Sequence, residues 1–316
     1  MTEPIDTTKV APADAPGEVN PDIQTVAPAR SLWVDAWYSM RGRPMFWIAV
    51  ALVALFVAMA VAPGAFTSKS PDSGADLMLR AQPPSWEAIF GYDLQGFDVF
   101  TRCVYGARAS ILVGVGAALG TALVGGILGT IGGTVGRWLD TVLSRVTDIV
   151  FAIPLLLGSI VIMFTFPLAP GAPYLLVVGR VVLALSVLGW PNVFRIMRSS
   201  VMQVKPLEYV QAARALGAGP LRIARSHIVP NAMTPVIVVS TINLGVYIAV
   251  EATLSFLGIG LQAPVVSWGM AISDASAYFR NAPHMLLFPS LFLSLTVLAF
   301  IMLGDVVRDA LDPKLK

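Results

Sequence analysis

An all-α integral membrane protein that crosses the bilayer six times is the fold class this sequence predicts, and three observations predict it. Of its 316 residues 56% are apolar and 13% charged, with a mean hydropathy of +0.75, which is too apolar for an ordinary soluble domain. The apolar residues gather in runs close to the roughly 20 residues that cover a bilayer core. Assigning the intervening loops to alternate sides places 15 Lys and Arg on the side of both termini and of segment 195–231, against four on the other. Because loops facing the cytoplasm carry the basic excess, the termini and that segment are predicted to be cytoplasmic.

Residues 1–44 are rich in Pro, Ala, Asp and Thr and are predicted to be a largely disordered tail, since they cannot bury enough surface to offset the entropy of ordering. Within it Leu32, Trp33, Trp37 and Tyr38 form an aromatic segment suited to the membrane interface. Residues 45–63 carry no charge and form the first span. Ala60-Val61-Ala62 imitates a signal-peptide cleavage site, but the segment ahead of it is too long for a cleaved leader. Residues 64–106 are polar, aromatic and Pro-containing, an external loop in which Gly91, Asp93, Gly96 and Asp98 mark turns; their spacing is wrong for a calcium loop.

Residues 107–304 form a five-helix core. The second span, 109–136, carries Gly114, Gly116, Gly120, Gly125, Gly126 and Gly129, a series of small residues that lets helices approach closely in lipid. The third, fourth, fifth and sixth spans are predicted at 149–166, 174–194, 232–254 and 284–304. The stretch 257–264, with its Gly and Pro content and the following Ser267-Trp268-Gly269, predicts a re-entrant or scoop-like external loop. Residues 305–316 complete the chain as a cytoplasmic tail.

The hydrophilic segment 195–231 predicts a helical hairpin. Pro206 suits a first helical position, and Glu208 favours the positive end of the helix dipole. Tyr209, Ala212, Ala213 and Leu216 recur at i, i+3, i+4 and i+7 as one apolar face, before Gly217 and Gly219-Pro220 end the helix. A second helix, 220–228, carries Arg222 and Arg225 and stops at Pro230. On its own the hairpin suits either a docking element or a helix lying on the inner leaflet with its basic residues facing anionic lipid.

The pattern Gln211-Ala212-Ala213, then Gly217 and Pro230, resembles the Glu-Ala-Ala loop of ABC importer permeases, with Gln211 where Glu is usual. The resemblance extends through Tyr105-Gly-Ala-Arg108, Ser110, Leu112 and Gly114; through Glu251, Leu254-Ser-Phe-Leu-Gly258, Gly260, Pro264 and Ser267-Trp-Gly269; and through Gly304-Asp305, Arg308-Asp309 and Leu311-Asp-Pro313. These residues are similar to the C-type subunit of dipeptide and oligopeptide importers, whose relatives also carry nickel chelates, glutathione, opines or haem. Where that family commonly has Gly-Thr-Asp and Gly-Arg-Asp, this chain has Gly91-Tyr92-Asp93 and Gly96-Phe97-Asp98. The resemblance implies a type I importer permease fold, a second permease, two cytoplasmic ATPases and an extracytoplasmic solute-binding protein. It assigns Glu208, Tyr209, Gln211, Ala212, Ala213, Arg214, Leu216, Gly217, Arg222 and Pro230 to ATPase coupling by helix-in-groove recognition.

For the translocation path or gate the candidates are Glu251, Arg180, Asn192 and Trp268. An ionisable group in lipid is costly enough to suggest a role; Glu251 either holds the scoop loop, with Arg180 as counter-charge, or lies solvated at the interface. Trp190-Pro191-Asn192 either forms a hinge or ends the fourth span. Asp305, Arg308 and Asp309 are spaced to clasp the C-terminal helix onto itself or onto a partner. Cys103 alone cannot form an intrachain disulfide, His227 and His284 lack metal-ligand spacing, and no catalytic motif appears. Without a phosphate loop the chain is expected to hold no cofactor, with ATP and Mg bound by partner subunits. A secondary transporter driven by an ion gradient is the competing class; it predicts midplane ion ligands and internal repeats.

Overall fold

The computed structural model describes residues 32–72 and 74–311. The predicted disorder of residues 1–31 and the motif end at Asp312-Pro313 lie outside the described residues. Five helices among the described residues are long and apolar enough to cross a membrane: α2 (Pro44–Val61), α3 (Val99–Val135), α6 (Tyr174–Val204), α10 (Thr234–Phe256) and α12 (His284–Leu311). A short helix, α1 (Leu32–Arg41), precedes them. Its Trp37 and Tyr38 are exposed, and the Arg41 guanidinium stacks 3.9 Å from the Tyr38 ring; the side chains of Leu32 and Trp33 lie outside the described residues.

The glycines of α3 decide how the core is built. A Cβ on Gly125 would stand 2.7 Å from the Trp190 carbonyl oxygen and 2.8 Å from the Phe194 amide, and one on Gly129 2.8 Å from the Phe194 carbonyl oxygen. Gly116 faces Val182 and Gly133 faces Val201 in the same way. Contacts that advance together along both helices mean that α3 and α6 run parallel, and their closeness is what bare glycine surfaces permit. A chain leaving α3 at one end must therefore cross back before α6 begins.

That return is a bent pair rather than the straight third span expected at 149–166. Helix α4 (Arg137–Phe151) and α5 (Leu155–Thr165) meet at 84° around Ala152-Ile153-Pro154. Pro154 supplies no N–H and sits at the start of α5, so it breaks the ladder there. With 11 residues α5 reaches only about 16 Å. The predicted 137–147 loop is thus mostly α4, whose charges bind it to α6: Asp140 accepts from Arg198 Nε and Nη2 at 2.5 and 2.7 Å, and Asp148 accepts from Arg195 at 2.8 Å.

Other boundaries move outward for similar reasons. The second span begins at Val99 rather than 109, because Asp98 caps it by accepting from the Thr101 amide at 2.8 Å, so residues 99–106 of the expected external loop are helical. The fourth span continues through Pro191, which is buried, to Val204, so it does not end at 194. The first ten residues of segment 195–231 belong to it. Helix α12 likewise runs to Leu311, and Asp309 pairs with Arg43 at 2.6 Å instead of clasping its own helix. Apolar span counting stops at the first charge; a capped or paired charge lets the helix go on.

At the opposite end from the termini, residues 64–98 and α11 (Trp268–Ala275) cover the bundle. Gly91 and Gly96 take positive φ of 75° and 83°, as the turns require. Asp93 accepts from the amides of Gln95 and Phe97 and pairs with Arg102, while Asp98 pairs with Lys69. Arg102 and Lys69 thus provide cations for this segment. Burial pushes the nearby Asp274 carboxyl above the usual carboxylate range, with Arg102 pulling the other way.

Candidate functional site

The hairpin between α6 and α10 is anchored by residues that an amphipathic reading of its first helix overlooks. Val210, Ile223, Ile228 and Ala232 are buried against Val193, Met197, Val201, Val204 and Val236, which fixes the hairpin on the end of α6 and the beginning of α10. A signal was available for three of them: Val210, Ile223 and Ile228 are of the residue types most often buried.

Helix α7 (Glu208–Ala215) starts two residues later than Pro206 suggests, since Leu207 is extended with ψ of 148°. Glu208 occupies its first turn. Tyr209, Ala212 and Leu216 are exposed and Ala213 partly so, with Leu216 88% exposed. The predicted apolar face therefore faces away from this chain. Gly217, at φ +83°, closes α7 with paired bonds from the Ala218 amide to Ala213 O and from the Gly217 amide to Arg214 O, a Schellman closure that needs a left-handed residue.

Beyond it the second helix does not stop at Pro230. Helix α8 (Pro220–Ile223) passes through a π-helical turn (Ala224–Ile228) into α9 (Val229–Ala232), with exposed Pro230 inside the run. A proline removes one backbone donor and crowds the preceding turn, and the wider π turn accommodates it. Asn231 donates its side-chain amide to His227 O at 2.7 Å.

Gln211 is exposed and donates to Lys205 O at 3.3 Å. Lys205 Nζ in turn donates to Gly133 O and Thr134 O at 3.2 and 2.8 Å, capping the end of α3. An amide at position 211 can make its bond; a carboxylate, which only accepts, cannot. Arg214 and Arg222 are exposed with Gln211 at this end of the bundle. The structure thus brings the hairpin candidates into one exposed surface seated on α6 and joined to α3.

The translocation candidates do not gather into a path. Glu251 is fully buried, so it is not solvated, and it does not pair with Arg180. Ser110 and Ser255 donate to its two oxygens, each at 2.8 Å, and Ser255 Oγ accepts from the Leu261 amide at 3.0 Å. Arg180 donates to Gly260 O at 3.2 Å and Phe166 O at 3.4 Å. Acid and base therefore hold residues 257–264 from separate sides. Trp268 is fully buried, donating to Cys103 O at 2.8 Å and packing edge-on to Phe56 and Phe292; in this structure it is a core residue. Asn192 is exposed on an unbroken α6. Sequence reading missed Ser110 as a partner of Glu251 because 141 positions separate them.

Glu251→Leu is expected to leave two buried hydroxyl protons without an acceptor and destabilise the loop by about 3 kcal/mol, with each orphaned donor costing roughly 1–3. Gln at this position can still accept from one serine and donate to the other, so Glu251→Gln should remain close to wild type. Limited proteolysis at residues 257–267 in detergent checks this; equal resistance of all three proteins would show that the carboxylate holds nothing.

Residues 122–316 match the family described as the binding-protein-dependent transport system inner membrane component. The chain is 38% identical to the oligopeptide transport system permease protein OppC of Bacillus subtilis (strain 168) over 286 residues, 90% of this chain and 91% of that protein. It is also 38% identical to the dipeptide transport system permease protein DppC of the same organism, over 92% of this chain and 88% of that one. Identity to the glutathione transport system permease protein GsiD of Shigella flexneri serotype 5b is 36%, over 91% and 92% of the two chains. Among solved structures, the MetNI methionine ABC transporter in inward-facing conformations superposes with a TM-score of 0.52 at 19% identity, covering 66% of this chain and 95% of that one. That likeness shows the fold alone, the type I importer permease fold. Sequence and fold agree that this chain belongs to the family of binding-protein-dependent transport-system inner-membrane components, as a permease subunit of an ABC importer.

Proposed function

We propose that the chain forms, with a homologous second permease, the path by which di- or oligopeptides enter a bacterial cell, and that its hairpin receives motion from a cytoplasmic ATPase. The observation that carries this reading is α7 itself. It is folded, capped and anchored through Val210, yet turns Tyr209, Ala212 and Leu216 outward. A solvated helix gains nothing from such a face, whereas a groove on a partner would cover it. The excess of basic residues at this end supports a cytoplasmic location for the hairpin and the termini.

Two ATPases binding ATP and Mg would then close beneath the hairpins, and an extracytoplasmic solute-binding protein would deliver peptide to the opposite end. The similarity to OppC and DppC supports peptide as cargo. No chemistry is required of this chain; it positions, opens and closes. Glutathione, named for a third relative, is a modified tripeptide and falls within the same class.

The test is uptake of labelled di- and tripeptides into vesicles containing the assembled transporter. Uptake should require ATP and stop when the ATPase is inactivated. Uptake that persists on a proton gradient with the ATPase inactive would mean an ion-driven secondary transporter instead.

A further inference from the structure

Between the end of α2, the third turn of α3 and the first turn of α6 lies an open cavity of about 590 Å³. Val57 and Val61, Leu112, and Leu175 form its apolar wall, and these four are 37%, 73%, 41% and 76% exposed. Its two polar contributors are Arg108 and Tyr174. Arg108 is exposed and has neither a hydrogen bond nor an ion pair among the described residues. The Tyr174 hydroxyl is shielded and has no protein partner either. No carboxylate lines the space.

We propose that this cavity binds a membrane phospholipid through its phosphate, with Arg108 as the donor and one acyl chain along Val57, Leu112 and Leu175, the Tyr174 hydroxyl being closed off from the open space. The level is right for a headgroup. Helix α2 ends at Val61 and α6 begins at Tyr174, so the cation stands at the boundary of the bundle opposite the termini, which is the outer leaflet in the proposed orientation. At that level an arginine reaches the interface, where anionic headgroup oxygens are its natural partners. A guanidinium presents a planar fork that fits phosphate oxygens two at a time. A soluble anion would satisfy the guanidinium but leave the apolar wall uncovered; a lipid covers both. Filling the groove would also join the end of α2 to the start of α6 across α3.

The test uses the full chain in its assembled transporter, released from detergent in a mass spectrometer after incubation with phosphatidylglycerol, with diacylglycerol of the same chains, or with inorganic phosphate. Wild type is expected to retain phosphatidylglycerol over diacylglycerol. Arg108→Gln should lower that retention about tenfold, the change expected from one lost charge-assisted hydrogen bond, and Arg108→Lys should restore part of it. Leu112→Trp, which fills the groove and leaves the arginine, should exclude the lipid as well. Unchanged retention in Arg108→Gln, or equal retention of diacylglycerol, would overturn the phosphate role. Loss of lipid to inorganic phosphate would make this a soluble-anion site, and no retention in the assembled transporter would mean that a partner subunit covers the groove. Because ATP-driven uptake is not the readout, failure here leaves the transport proposal standing.

Discussion

Gly125→Ala is expected to destabilise the bundle while the same change at Gly126 does not. The two positions are neighbours in α3 and equal in helix propensity, but Gly125 is buried against α6 and Gly126 is not. At Gly125 the new Cβ would lie 2.7 Å from the Trp190 carbonyl oxygen, 2.7 Å from Val193 Cβ and 2.8 Å from the Phe194 amide; at Gly126 nothing stands within 4 Å. Backbone atoms of α6 cannot swing aside as a flexible side chain can. The two helices must separate, and the glycine-to-valine, glycine-to-methionine contacts on either side open with them. Overpacking of this kind costs about 1–3 kcal/mol, and Gly125→Val should exceed that range. At Gly126 the helix gains the advantage of alanine over glycine, about 1 kcal/mol in water and less in lipid. The measurement is the midpoint of thermal unfolding in detergent for the two alanine variants. Equal midpoints would mean that α3 and α6 are not sealed through glycine, and the parallel arrangement that makes α4 and α5 the return crossing would lose its main support.

How much of this architecture could be read in the chain depends on which physical signal marked each part. The α3 glycines were visible because glycine at close spacing in an apolar run has few other uses in lipid; their partner helix was not, since spacing names a face but no neighbour. Helix α4 was hidden behind Arg137, Asp140, Arg145 and Asp148, which look like loop charges until Trp138, Val142, Val146 and Ile149 are seen to recur at i, i+4, i+8 and i+11. Two of those charges turn out to be the ion pairs with Arg198 and Arg195. Glu251 was visible as a costly group in a span. Its satisfaction came from serines, and hydroxyls carry no charge pattern that would point across 141 residues. Arg180 was the obvious counter-charge by depth and yet bonds backbone carbonyls, because a guanidinium with five donors can divide them between two loops; its Nε finds no partner among the described residues.

Leu216→Asp is expected to detach the ATPase and leave the permease intact. Leu216 is 88% exposed and sits at the last turn of α7 beside Gly217, so an aspartate there disturbs no packing within this chain. In the proposed assembly the same position lies in a partner groove, where a charge without a partner is costly. Truncating or charging a central apolar anchor commonly costs 2 kcal/mol or more, roughly a thirtyfold weaker association. Ala212→Trp should act similarly by another cause, since a small residue permits close approach and an indole forbids it. The contrasting variant is Val210→Asp. Val210 is fully buried in the cluster that seats the hairpin, so a charge there should unfold the hairpin itself and expose residues 205–232 to protease. Co-purification of the ATPase with the membrane-extracted permease, alongside limited proteolysis of the permease alone, separates the two mechanisms. Leu216→Asp should fail the first assay and pass the second; Val210→Asp should fail both. Retention of the ATPase and of ATP-driven uptake by both Leu216→Asp and Ala212→Trp would show that the outward face of α7 is not where force enters, and the docking surface would then have to be sought along Arg222, Arg225 and the π-helical turn.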